Sequence, residues 1–100
     1  MLAVRPGQLV TSKAGRDRGK QYLVVGLDPG GYLLVANGVE RSVTRPKPKS
    51  RRHLIIHQQI AEEIADKLEK SMEVNDRELR AALERLTQRH RGGWPAYGEG

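Results

Sequence analysis

The chain has 100 residues, 18 Lys or Arg against 12 Asp or Glu, a formal net charge of +6 and no cysteine. That length suits one small domain with a modest core, and the lack of cysteine excludes a disulfide framework and thiolate metal sites. No apolar run approaches the roughly twenty residues of a membrane-spanning helix, and residues 1–7 lack the apolar centre of a secretory signal; the expectation is a cytoplasmic protein with no membrane partner.

Gln8–Ser12 and Gln21–Leu27 are rich in Leu, Val and Tyr and predict two strands. Between them, Lys13–Lys20 is a loop with glycines at 15 and 19 and four cations, Lys13, Arg16, Arg18 and Lys20. Gly15 and Gly19 permit positive φ. Cations grouped around exposed loop amides suit phosphate oxygens, which accept from both. The stretch is one residue short of a nucleotide-binding P-loop, and Gln21 stands where that motif needs Ser or Thr. Asp17 is expected to partner the neighbouring arginines or to shape the turn.

Asp28-Pro29-Gly30-Gly31 predicts a turn, followed by a strand over Tyr32–Ala36. Asn37-Gly38 predicts a type I′ hairpin into a further strand over Val39–Val43. With Leu54–His57 this makes five short strands in about fifty residues, the pattern of a small barrel or sandwich. In a meander the loops at 14–20 and 37–38 share one end, where Arg41 joins the loop cations. The segment Arg45–Arg52 then starts from the opposite end and runs back along a side. It carries Arg45, Lys47, Lys49, Arg51 and Arg52, with two prolines that favour extended backbone. It reads as a charged connector or as a clamp along a phosphate backbone.

Residues 58–90 predict a helical hairpin. Ile60, Ile64, Leu68 and Met72 lie four apart beside Ala61 and Ala65, one stripe of an amphipathic helix. Asn75 with Glu78 predicts a capping box, Val74 with Leu79 a hydrophobic staple, and Leu79, Ala82, Leu83 and Leu86 a second stripe. Its work is either to cover an open part of the barrel or to dock a protein. Residues 91–100, with Trp94 and Tyr97, are expected to form a flexible tail. His53 and His57 flank a strand, and His90 falls near a helix C-terminus; none belongs to a metal-ligand pattern, and no cofactor is expected. Four aromatics, Tyr22, Tyr32, Trp94 and Tyr97, make no stacking platform, so backbone and shape recognition is favoured over base readout.

Charge is unevenly shared. Residues 1–57 hold 11 Lys or Arg and three Asp or Glu; residues 58–100 hold seven and nine. A basic first half attracts polyanions. No Ser-His-Asp arrangement, ligand set or nucleotide loop is present, so an enzyme is not expected.

The run Gly15-x-Asp17-x-Gly19-Lys20 leading into an apolar strand resembles the KOW motif of ribosomal proteins and transcription elongation factors. Leu34-Val35-Ala36-Asn37-Gly38, then Arg41 and Val43, and His53-Leu54 after a basic run, are similar to the "fourteen-e" large-subunit ribosomal protein family and its short bacterial relatives. The resemblance covers residues 3–57 and extends loosely over the helices. It implies an α+β, mainly β fold: an SH3-like five-stranded β-barrel at 1–57 including the basic strap at 45–52, a helical hairpin at 58–90 and the tail at 91–100. It implies RNA as partner, ribosomal RNA foremost, with ribosomal or other translation proteins meeting the helical pair. The RNA-binding residues would be Lys13, Gly15, Arg16, Arg18, Gly19, Lys20, Arg41, Arg45, Lys47, Lys49, Arg51 and Arg52. The alternative is a protein-interaction module docking to a transcription or translation complex.

Overall fold

The computed structural model of the chain describes residues 4–93, with side chains through Gln88. Five strands form one antiparallel sheet: β1 (Gln8–Ser12), β2 (Gln21–Leu27), β3 (Leu33–Ala36), β4 (Lys47–Lys49) and β5 (Leu54–Ile60), in the order β4-β3-β2-β1-β5. A 3-10 turn at Arg51–His53 leads into β5. Helices α1 (Glu62–Glu69) and α2 (Asp76–Gly93) follow. No helix among the described residues is long and apolar enough to cross a membrane.

Register sorts the apolar residues onto two faces. Leu9 pairs with Leu23 and Leu23 with Ala36, and all three join Ala61, Ile64, Val74, Leu79, Ala82 and Leu86 in one buried cluster. The helices therefore cover this face of the sheet. Val10 pairs with Tyr22 and Val24 with Val35, and these pack with Leu33 and Leu54 in a second cluster. No helical residue belongs to that second cluster; the sheet covers it by curling. Lys49 shows how far it curls. Three strand spacings separate β4 from β1, about 14 Å along a flat sheet, yet Lys49 Nζ lies 3.1 Å from Ser12 Oγ. The strand ladder nevertheless stops at β4 on one side and β5 on the other, so the sheet is curled but not closed by strand pairing.

Several sequence expectations change. Val39–Val43 is not a strand. Asn37 Oδ1 accepts from the amides of Val39, Glu40 and Arg41 at 3.0, 3.1 and 3.0 Å, which takes those donors away from any ladder. Gly38 has φ +78°, but Asn37 is not among the residues with positive φ, so the predicted type I′ turn is not formed. The chain instead re-enters the sheet as β4, within the predicted strap, with Pro48 tolerated on an edge strand. That re-entry starts from the end where β3 leaves, with Lys47 opposite Val35, not from the opposite end as the meander required.

Strand β5 runs on to Ile60, through the expected boundary at 57/58. Ile60 thus belongs to a strand. Met72 lies past α1 and is half exposed, which leaves Ala61, Ile64 and Ala65 as the buried part of that stripe. The predicted start of α2 is present: Asn75 N–H donates to Glu78 Oε1 at 3.0 Å and Glu78 N–H to Asn75 Oδ1 at 2.8 Å. Val74 and Leu79 are buried in one cluster, as a staple requires. Helix α2 continues through Gly93. Residues 91–93 of the expected tail therefore belong to α2, while the expectations for residues 94–100, with Trp94 and Tyr97, and for the His90 side chain lie outside the described residues.

Candidate nucleic-acid interface

The β1–β2 loop is built from its backbone inward. Gly19 N–H donates to Ser12 O at 2.7 Å and Ser12 N–H to Lys20 O at 2.9 Å, extending the hairpin into the residues just before β2. Arg18 N–H reaches Gly15 O and Lys20 N–H reaches Asp17 O, with Gly15 at φ +82° and Gly19 at φ +89° supplying the left-handed turns. Lys13 N–H donates to His53 O at 2.9 Å. The amides of Lys13, Arg18, Gly19 and Lys20 are thus committed within the protein. Those four amides are not open to a phosphate.

Asp17 turns inward and sends its neighbours out. It is 7% exposed, while Arg16 and Arg18 are exposed. Its carboxylate accepts from Ser12 Oγ at 2.9 Å, Tyr22 Oη at 2.9 Å and Lys49 Nζ at 2.9 Å, and Lys47 Nζ lies 3.6 Å away. Its partners are therefore a serine, a tyrosine and two lysines of β4, not the adjacent arginines. Burial alone would raise this carboxyl, but the hydrogen bonds from Lys49, Ser12 and Tyr22 and the Lys49 charge outweigh it and hold Asp17 well below the usual carboxylate range. Burial, then the bond to Asp17 and its charge, push the Tyr22 hydroxyl up to about 12.

The predicted cations divide accordingly. Lys49 is buried against Asp17 and is withdrawn from the outer surface, and Lys47 is half-buried beside it. Lys20 meets Glu40 at 2.7 Å, both exposed, a pair that solvent screens. Lys13, Arg16, Arg18, Arg41, Arg45 and Arg52 are exposed and form no ion pair with another described residue. Arg51 is exposed beside Arg52.

Two contacts gather these residues. The Lys13–His53 bond sets Arg51–His53 against the loop, and the Lys20–Glu40 pair sets Arg41 on its other flank. Cations distant in sequence thus meet at one end of the curled sheet. His53 ends the 3-10 turn, and His57 Nε2 lies 2.8 Å from Thr11 Oγ1 on β1. Among the described residues no group of three or more His, Cys, Asp or Glu could hold a metal ion.

The buried Asp17–Lys49 pair was missed from sequence because its partners lie 32 positions apart. The one available signal was an acid placed in an otherwise basic loop. No protein-family model matches the chain, and no curated protein shows significant similarity to it.

Proposed function

We propose that this chain is a cytoplasmic, non-catalytic RNA-binding protein of KOW type, associated with the ribosome or with translation. Lys13, Arg16, Arg18, Lys20, Arg41, Arg45, Arg51 and Arg52 contact phosphates, with Lys47 at their margin. Gly15 and Gly19 act by shaping the loop, and Lys49 acts by holding Asp17 beneath it. The observation that carries this reading is the gathering of the β1–β2 loop, Arg41 and the 3-10 turn at one end of the sheet. Six exposed cations with no ion pair to another described residue are open to an external anion. We read the curled sheet as an SH3-like barrel; the strand order β4-β3-β2-β1-β5 and the 3-10 turn before β5 support this, although no strand pairing joins β4 to β5.

Phosphate contacts release counterions, so affinity must fall steeply as salt rises. The test is RNA affinity measured across a salt series for the full chain and for Arg18→Ala and Arg52→Ala. Each substitution is expected to weaken binding to different RNA sequences alike and to reduce the salt slope by about one. Salt-insensitive binding, or a salt slope left unchanged by both substitutions, would overturn the proposal.

A further inference from the structure

The sheet has two edges, β4 and β5, and they are built differently. β4 is Lys47-Pro48-Lys49, which discourages further pairing, because proline brings no amide donor and lysines repel their like. β5 is Leu54-Ile55-Ile56-His57-Gln58-Gln59-Ile60, with no acid, lysine, arginine, proline or glycine. Among the described residues no strand lies beyond it. Ile55 is 45% exposed and Gln58 is exposed. An open hollow of about 510 Å³ is lined by Ile56, His57, Gln58 and Gln59.

The bonds of β5 give the direction of its backbone groups. Lys13 N–H donates to His53 O and Gln8 Nε2 to His57 O, so residues 53 and 57 turn their carbonyls toward β1. Alternation along the strand then turns the amide and carbonyl of Ile56 outward. Leu54 also faces outward, but its amide is committed to Arg51 O in the 3-10 turn. Ile56 is thus the first residue of β5 that can exchange both bonds with an added strand.

The flanks of β5 select the strand that fits. Arg51 and Arg52 precede it, and Glu62 and Glu63 follow it. An antiparallel copy of β5 centred on Ile56 sets residue 54 opposite residue 58 of the other copy and residue 52 opposite residue 60. The basic flank of each chain then meets the acidic flank of the other, twice by symmetry. Arg52 is exposed, and Glu62 is 72% exposed in a 3.6 Å pair with Arg5 that solvent screens. A parallel copy would set like charges together.

We propose that β5 is the interface with a second copy of this chain, paired antiparallel about Ile56. The contact is isologous and closes at two, because the outer edges of the joined sheet are both β4, with its proline and lysines. The flanking charges fix the orientation from the rim and stay in water, so Arg52 remains open to phosphate. The two basic ends come to lie at opposite ends of the joined sheet. Pairing of this kind requires no RNA, so it stands or falls apart from the RNA reading.

The test is sedimentation equilibrium of the full chain, free of RNA, from about 1 µM to about 200 µM. One strand pair is at the small end of protein interfaces, so the mass is expected to rise from one chain to two with a Kd of roughly 10–100 µM. Amide exchange at Ile56 is expected to slow about threefold or more across the same range by mass action. Gln58→Lys changes an exposed side chain and sets a cation near the other copy's Arg52. It is expected to weaken the dimer about tenfold, whereas Gln58→Glu is expected not to weaken it. A chain that stays monomeric throughout, assembly that grows beyond two, unchanged exchange at Ile56, or equal effects of the two substitutions overturns the proposal.

Discussion

Asp17 decides how the basic loop is presented. One carboxylate collects a serine hydroxyl, a tyrosine hydroxyl and two lysine ammonium groups, and it does so from inside the curl of the sheet. Removing one partner of a buried ion pair costs about 3–5 kcal/mol, because the other charge stays desolvated. Asp17→Asn preserves the shape but leaves Lys49 without its counter-charge. We expect it to lower unfolding free energy by about 3 kcal/mol in urea titration. The pH dependence has a definite sign. A carboxyl depressed by folding stabilises the protein above the ordinary Asp value and loses that contribution as pH falls through its lowered pKa. At the alkaline end, Tyr22 is raised, so its contribution is complete below about pH 10 and is lost as pH rises toward about 12. In Asp17→Asn the alkaline transition, followed by tyrosine absorbance, should move to lower pH; an unchanged transition would show that Asp17 does not hold the hydroxyl.

At the scale of elements, the segment between β3 and β4 is the joint of the molecule. It is wound around Asn37, and it fastens α2 at two points. Ser42 Oγ and Val43 N–H both donate to the Asp76 carboxylate, each at 2.7 Å, at the first turn of α2, where an acid also meets the favourable end of the helix dipole. Gly38 sits against the same turn, with φ +78°. A Cβ there would stand 2.6 Å from Asp76 O and 2.8 Å from Arg80 Cγ. The backbone carbonyl cannot yield as a side-chain tip could. We expect Gly38→Ala to cost about 2–3 kcal/mol, from left-handed strain together with overpacking. Amide exchange should show α2 losing protection before β1 and β2. Uniform loss across the molecule would mean the joint is not a local hinge of stability.

For the whole molecule, the helices and the sheet share one core. Leu9, Leu23 and Ala36 from the sheet are buried only with Ile64, Leu79, Ala82 and Leu86 from the helices. Surface ion pairs, Lys67 with Glu78 and Arg85 with Glu63, run between the two helices but add little beside that burial. A chain ending at Ala61 would expose the helix-covered face of a sheet already too small to be stable by itself. Such a fragment is expected to show no cooperative unfolding transition, whereas a cooperative one would make the helices an appendage. The arrangement also separates charge: the basic end is made by loops of the sheet, and much of the acid lies on the outer faces of the helices.

Local signals were legible where they are self-sufficient. The bounds of β1 and β2 follow from apolar β-rich runs ended by glycine and charge. The start of α2 follows from Asn75 and Glu78, which satisfy each other within one turn. The basic loop is a property of composition. What the chain alone left open depends on partners distant in sequence. Whether Asn37-Gly38 makes a hairpin turn or a side-chain cap depends on α2 packing against Gly38. Whether Lys47-Pro48-Lys49 is a free strap or an edge strand depends on a curl that brings β4 to Ser12 and Asp17. A lysine is an exposed phosphate ligand or a buried counter-ion according to what faces it. Tertiary structure decided that for Lys49, because an ion pair forms between groups close in space, and closeness in space is what linear spacing does not encode.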